Sequence, residues 1–219
     1  MLNWSDIHTV LLDMDGTLLD LHFDNHFWIE HVPKAFAKKH SVSLEKAQTE
    51  LKIQNDAVYG QLEWYCLDYW QQELDLPILE LKREISHLIQ LRDDTIPFLD
   101  ALHAAGKEVI LVTNAHPNSL SLKVEMTQLD SHIDRLISCH QYGVSKESQR
   151  LWQQLQQDIG FDNKHTLFVD DSKPVLDSAK KFGIQHLLAI ANPDSKKPAK
   201  EITGYVNTTD FRTLITQIK

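Results

Sequence analysis

A chain of 219 residues with 42% hydrophobic and 24% charged residues has the balance of a folded domain with a full sheet-based core, which excludes global disorder. Its 31 acidic and 22 basic side chains leave a net charge of −9, a field that repels nucleic-acid backbones and anionic lipid; neither a nucleic-acid polymer nor a membrane is expected as a partner. Cys66 and Cys139 stand in no C-x-x-C pair, no apolar run approaches the ~18 residues of a membrane span, and the N-terminus has no secretory pattern, so a reduced, cytoplasmic setting is expected.

In chain order, the first strand signal is Thr9-Val-Leu-Leu-Asp13. The texture then changes: from Leu21 to Leu91 helical spacing dominates, with few breakers besides Pro33, Gly60 and Pro77. This stretch is too long for an ordinary crossover and reads as an inserted lobe of three or four helices. Beyond it, helical patterns over 96–105, 120–129, 146–159 and 173–182 alternate with strand signals at Glu108-Val-Ile-Leu-Val-Thr113, Arg135-Leu-Ile-Ser138, Thr166-Leu-Phe-Val-Asp170 and His186-Leu-Leu-Ala-Ile190. Near-continuous apolar runs suit strands buried on both faces of a parallel sheet, and Gly106, Gly160 and Gly183 stand where helix caps are needed. The expected fold class is α/β, a doubly wound parallel sheet of Rossmann-like type over 1–19 and 94–219, with an all-helical cap at 20–93.

Ligands of an open parallel sheet bind beyond the carboxyl ends of its strands. The strands here end in Asp13-Met-Asp15-Gly16-Thr17, in Thr113-Asn114 and in Asp170-Asp171-Ser172, and Lys146 follows the weak strand near Ile137, where it is expected to start a helix. Folding therefore gathers four carboxylates, a hydroxyl and an ammonium at one rim. Such a rim calls for a cation, and an all-oxygen donor set with room for water suits Mg²⁺. An aspartate can attack phosphorus to form an acyl phosphate, and a second carboxyl two residues on can protonate the leaving oxygen and then activate water. Gly16 lets the backbone turn sharply beside the phosphate.

These residues resemble the haloacid dehalogenase (HAD) phosphohydrolase superfamily, whose D-x-D-G-T signature, strand-ending Thr, Lys and acidic pair occur here in order. The resemblance implies Asp13 as nucleophile and Asp15 as general acid/base. It implies Thr113 and Lys146 as groups orienting and neutralising the phosphoryl oxygens. From their positions alone, Gly16 is expected beside the phosphate and Asn114 is a candidate phosphate ligand, with a plain strand end as the alternative for Thr113-Asn114. Asp13, the Asp15 carbonyl and Asp171 match the Mg²⁺ ligands, with Asp170 acting through water. The carboxyl at Asp15 favours phosphate chemistry over dehalogenation. The last motif departs from a common form: Asp170 replaces a Gly and Val175 a later Asp, which puts the metal shell rather than the activity in question. The insertion looks like a C1-type cap.

Longer strings, among them Phe23-Asp-Asn25, Trp64-Tyr-Cys-Leu-Asp-Tyr-Trp70, Thr113-Asn-Ala-His-Pro117 and Asn192-Pro-Asp-Ser195, look like the bacterial GMP/IMP nucleotidases of this superfamily. That implies a purine 5′-nucleotide as the small phosphorylated partner. A monomer or small homo-oligomer is the general expectation, on which the motifs are silent. Other phosphorylated metabolites remain open at this point: phosphoglycolate, a sugar phosphate, a pyrimidine nucleotide or a phosphomutase substrate. A non-enzymatic regulatory role on the same scaffold predicts loss of a catalytic group, and none is missing. Aromatics of the insertion (Phe23, Phe27, Trp28, Tyr59, Trp64, Tyr65, Tyr69, Trp70) are expected chiefly in the core of the lobe, with stacking on a purine as the alternative for any one. His116 is expected as a solvated loop residue, with contact to substrate as the alternative; the other histidines show no metal grouping, and both cysteines are expected as small core residues.

Overall fold

The computed structural model describes residues 2–218. After a short 3₁₀ turn, β1 (Thr9–Leu12) leads into a helical stretch: α1 (His22–His26), a π turn (Phe27–His31), α2 (Val32–His40), α3 (Leu44–Val58), α4 (Leu62–Tyr65), α5 (Leu67–Leu74) and α6 (Ile78–Glu84). Then follow α7 (Thr95–Ala104), β2 (Glu108–Thr113), α8 (Pro117–Thr127), β3 (Arg135–Ser138), α9 (Gln149–Ile159), β4 (Thr166–Asp170), α10 (Lys173–Phe182), β5 (His186–Ile190), β6 (Val206–Thr208) and α11 (Arg212–Ile215).

The six strands form one sheet in the order β3-β2-β1-β4-β5-β6, every pair parallel. Alternate side chains feed two cores, as strand geometry requires. Val10, Leu12, Leu111 and Val169 face one side, where α7 packs with Phe98 and Leu99 and the same core continues into the helical lobe through Phe23, Phe27 and Trp70. Leu11, Ile110, Val112 and Phe168 face the other, against Leu151, Trp152 and Leu155 of α9 and Val175, Leu176 and Ala179 of α10.

The sheet agrees with the sequence reading, with three differences. The insertion contains six helices, α1 to α6, rather than three or four. Pro33 cannot donate to Ile29, and the chain answers with the π turn just before it, so α1 and α2 follow one another without leaving helical backbone. Lys146 does not start a helix. It lies in a turn closed by Ser148 N–H donating to Ser145 O (3.0 Å), and α9 begins only after Ser148 caps Arg150 N–H. Strand β6 escaped notice because its three residues carry one hydrophobic side chain, Val206, and that one is exposed.

Candidate active site

Register builds the rim. Leu12 pairs with Leu111 and Val169, so Asp13 and Asp170 emerge side by side one residue further along adjacent strands. Asp13 N–H extends the ladder to Val169 O (3.0 Å). Lys146 is 2% exposed, and its Nζ bridges the two carboxylates, 2.5 Å from Asp13 Oδ1 and 2.7 Å from Asp170 Oδ2. Asp170 Oδ1 accepts Ser172 N–H at 2.7 Å.

The lysine is held by its backbone. Its N–H donates to Asn114 Oδ1 (2.9 Å), and its carbonyl accepts the Trp152 indole N–H (3.0 Å). Asn114 Nδ2 donates to Glu147 Oε2 (3.1 Å), and the Tyr65 hydroxyl of α4 donates to Glu147 Oε1 (2.7 Å). The side-chain amide of Asn114, which lines the cavity, is thus also engaged in fixing Lys146. Thr113 Oγ1 accepts Ala115 N–H (3.0 Å), shaping the turn after β2.

Gly16 turns at φ +86°, and a Cβ there would stand 2.6 Å from Asp171 Oδ2 and 2.9 Å from Pro193 Cβ. Its N–H donates to Leu19 O (2.8 Å), and the missing side chain permits the close approach to Asp171.

Potential ligand oxygens of Asp13, Asp170 and Asp171 all lie within 4.8 Å of one another. Three carboxylates share one ammonium, so the cluster carries two uncompensated negative charges when ionised. Burial, Asp170 and Asp13 accordingly push Asp171 well above the usual carboxylate range, and burial raises Asp13 to about 6 against the pull of Lys146. An all-oxygen donor set with two surplus charges fits a hard divalent cation.

Asp15 belongs to a second chain of charges that sequence reasoning missed. Lys123 Nζ of α8 lies 2.6 Å from Asp15 Oδ1 and 2.6 Å from Asp24 Oδ2 of α1. Lys82 Nζ of α6 lies 2.8 Å from Asp24 Oδ1. Both ammonium groups are buried, and Lys82 also stands over the Phe23 and Phe27 rings at 4.8 and 4.5 Å. This row of two acids and two bases is internally neutral. Burial would raise Asp24, but Lys123 and Lys82 hold it well below the usual range. Burial carries Asp15 to about 6 despite Lys123.

The signal for both lysines was present in the helical phase. Lys123 falls on the buried face of α8 with Ser119 and Leu122, and Lys82 on that of α6 with Ile78 and Leu81. A lysine at an apolar phase with no aqueous exit needs buried acids, and here it has them.

A cavity of about 850 Å³ opens on Asp13, Asp15, Thr113, Lys146, Asp170 and Asp171 and reaches Trp28, Tyr59, Trp64 and Tyr65 of the helical lobe. Its volume lies within the range of small-molecule sites. Beside it, His116 is buried rather than solvated, and it gathers with Cys66 and His140 so that one ligand atom of each lies within 4.8 Å of the others, a grouping not expected from the sequence. His116 Nδ1 accepts Asn118 N–H at the start of α8 (3.2 Å), so in the neutral ring Nε2 carries the proton and offers no lone pair to a metal. Cys139 is buried and its thiol is pushed up to about 12, which keeps it inert, as expected.

A model of haloacid dehalogenase-like hydrolases matches residues 7–183. GMP/IMP nucleotidase YrfG of Escherichia coli (strain K12) is 47% identical over 212 residues, which is 97% of this chain and 96% of that protein. The Shigella flexneri protein of the same name gives the same figures. The crystal structure of a HAD phosphatase from Thermococcus onnurineus superposes with a TM-score of 0.78 at 21% identity, covering 97% of this chain and 98% of that one. The L-2-haloacid dehalogenase from Xanthobacter autotrophicus superposes at 0.64 and 17% identity with the same coverage, so the fold is common to both chemistries. Among the described residues, no helix is long and apolar enough to cross a membrane. With its family model matched over most of its length and a relative nearly half identical, this chain belongs to the haloacid dehalogenase-like hydrolases and is an enzyme of that family.

Proposed function

We propose that the chain is a Mg²⁺-dependent phosphomonoester hydrolase that works through an aspartyl phosphate on Asp13 and dephosphorylates purine nucleoside 5′-monophosphates, GMP and IMP. The observation that carries this reading is the rim itself. Asp13 and Asp15, two residues apart at the end of β1, line one cavity with Lys146, Asp170 and Asp171, and that cavity continues to an aromatic wall. The name of the 47% identical relative supports the choice of substrate.

Asp13 forms a bond to phosphorus as the bond to the nucleoside O5′ breaks, and Asp15 gives its proton to the departing oxygen. Asp15 then takes a proton from water, which attacks phosphorus and returns Asp13 as a carboxylate. A group whose pKa lies near 6 exchanges protons in both directions at neutral pH. Lys146 pairs with Asp13 and Asp170 and supplies positive charge beside the transferring group. Asp13, Asp170, Asp171 and the Asp15 carbonyl would hold Mg²⁺, which when bound supplies the charge that balances the rim and the phosphate. In this reading residues 20–93 act as a cap whose aromatic side chains receive the base and exclude water.

Phosphate release from a panel of purine and pyrimidine monophosphates, sugar phosphates and phosphoglycolate, measured with Mg²⁺, tests the reading. GMP and IMP lead the panel, and Asp13→Asn folds but does not turn over. Equal rates across the panel remove the nucleotidase assignment, and an active Asp13→Asn removes the nucleophile.

A further inference from the structure

The row Asp15–Lys123–Asp24–Lys82 crosses from the sheet domain to the helical lobe. Asp15 follows β1 and Lys123 lies on α8, whereas Asp24 and Lys82 lie on α1 and α6 of the insertion. Every link is short: 2.6, 2.6 and 2.8 Å. Lys123 is 2% exposed and has no aqueous alternative to these two carboxylates. The foot of α1 is tied down beside it. Leu21 N–H donates to Pro193 O (2.8 Å), and Asn25 Nδ2 donates to Asp194 Oδ2 (2.7 Å). Asp24 therefore presents its carboxylate to Lys123 from a fixed seat.

We propose that Lys123 is a positioning residue for the Asp15 carboxyl, and that Asp24 is the lobe's end of the same clamp, so that the seating of the helical lobe sets where the proton-transferring carboxyl stands. The inference rests on the proposed hydrolase reading and adds two residues to it. The geometry separates two jobs. Lys146 pairs with the carboxylates that face phosphorus and metal, whereas Lys123 pairs with Asp15 and its partner Asp24 and stands over the Phe23 ring at 5.5 Å. An alkyl leaving group needs a well-placed acid, because an alkoxide is a poor leaving group. An aryl leaving group such as p-nitrophenolate departs without one. Misplacing Asp15 should therefore injure alkyl phosphates selectively.

The test compares kcat/KM for the best nucleotide or other alkyl phosphate with that for p-nitrophenyl phosphate, in the full chain with Mg²⁺. This parameter reports steps up to loss of the leaving group and is blind to the later hydrolysis of the phosphoenzyme. Lys123→Met is expected to lower the alkyl value by about 10²- to 10⁴-fold, the usual worth of a positioned acid or base. The aryl value is expected to fall less than about tenfold. Lys123→Arg should restore part of the alkyl rate, and Asp24→Asn should show the same selective loss in smaller measure. Where Lys123→Met does not fold, the double variant Lys123→Met/Asp24→Asn, which removes one charge of each sign, carries the comparison. Equal losses on both substrates, or no loss on either, overturn the proposal. Because any alkyl phosphate serves, failure of purine preference leaves this inference standing. Failure of the unmodified enzyme to release phosphate from any ester overturns the hydrolase reading and this inference with it.

Discussion

Replacing Gly16 by Ala adds a single methyl group at a crowded backbone position of the rim. At φ +86° any Cβ is strained, at about 1–2 kcal/mol. The new carbon would also start 2.6 Å from Asp171 Oδ2 and 2.8 Å from its Cγ, whereas ordinary contact begins at 3.4 Å. The carboxylate must therefore retreat by about 0.8 Å, or the backbone with Pro193 must yield, an overpacking cost of about 1–3 kcal/mol. The expected loss of stability is about 2–5 kcal/mol, or on the order of 10 °C in Tm for a chain of this size. A ligand displaced by nearly an ångström should cost on the order of 10²-fold in turnover and weaken Mg²⁺ binding. Gly106→Ala is the control, since φ there is +69° but a Cβ meets open space, so it bears the strain without the collision. Calorimetric melts and Mg²⁺ titrations of the two variants separate the effects. Wild-type Mg²⁺ affinity and turnover in Gly16→Ala would refute the assignment of Asp171 to the metal shell.

Four further outcomes follow from the same geometry. Lys146→Met removes the one cation shared by Asp13 and Asp170 and should cost the metal-free protein about 3–5 kcal/mol in chemical denaturation, with Mg²⁺ restoring part of the loss and phosphatase activity falling at least about 10²-fold. Tyr65→Phe deletes the 2.7 Å bond to Glu147 and should destabilise by about 1–3 kcal/mol, read from denaturant midpoints. The folded-state pKa values of Asp13 and Asp15, raised to about 6, lie above the unfolded value of 3.8, so the native state binds more protons across that interval and the metal-free protein loses stability as pH rises toward 7. Protons and Mg²⁺ compete for Asp13, so thermal stabilisation by Mg²⁺ should be larger at about pH 8 than at about pH 5.5. An equal Mg²⁺ shift at both values would contradict the raised carboxyls.

The sheet was legible because its strands are short apolar runs bounded by acids, and Thr9–Leu12, Glu108–Thr113 and Thr166–Asp170 are buried on both faces. Once these runs are parallel neighbours, their ends must meet, so Asp13, Thr113 and Asp170 could be placed together without coordinates. What sequence could not supply was pairing between distant side chains. Tyr65 and Glu147 stand 82 residues apart, and nothing local marks either as the other's partner. The place of Asn114 after β2 makes it a candidate phosphate ligand, but nothing in the sequence announces the bonds of its amide to Lys146 and Glu147. Lys123 and Lys82 look like surface lysines one residue at a time. Their burial follows from which helical face meets the sheet domain or the lobe, a tertiary fact that their apolar phase announces only weakly. His116 was misread for the same reason: a loop residue by sequence, it is buried as the first cap of α8.

The central claim is that Asp13 receives the phosphoryl group before water does. Its most direct test is the stereochemical course at phosphorus, followed with an isotopically chiral phosphorothioate nucleotide hydrolysed in labelled water. Two successive in-line displacements, first by Asp13 and then by water, predict retention of configuration. Inversion would mean a single direct attack by water and would contradict the account.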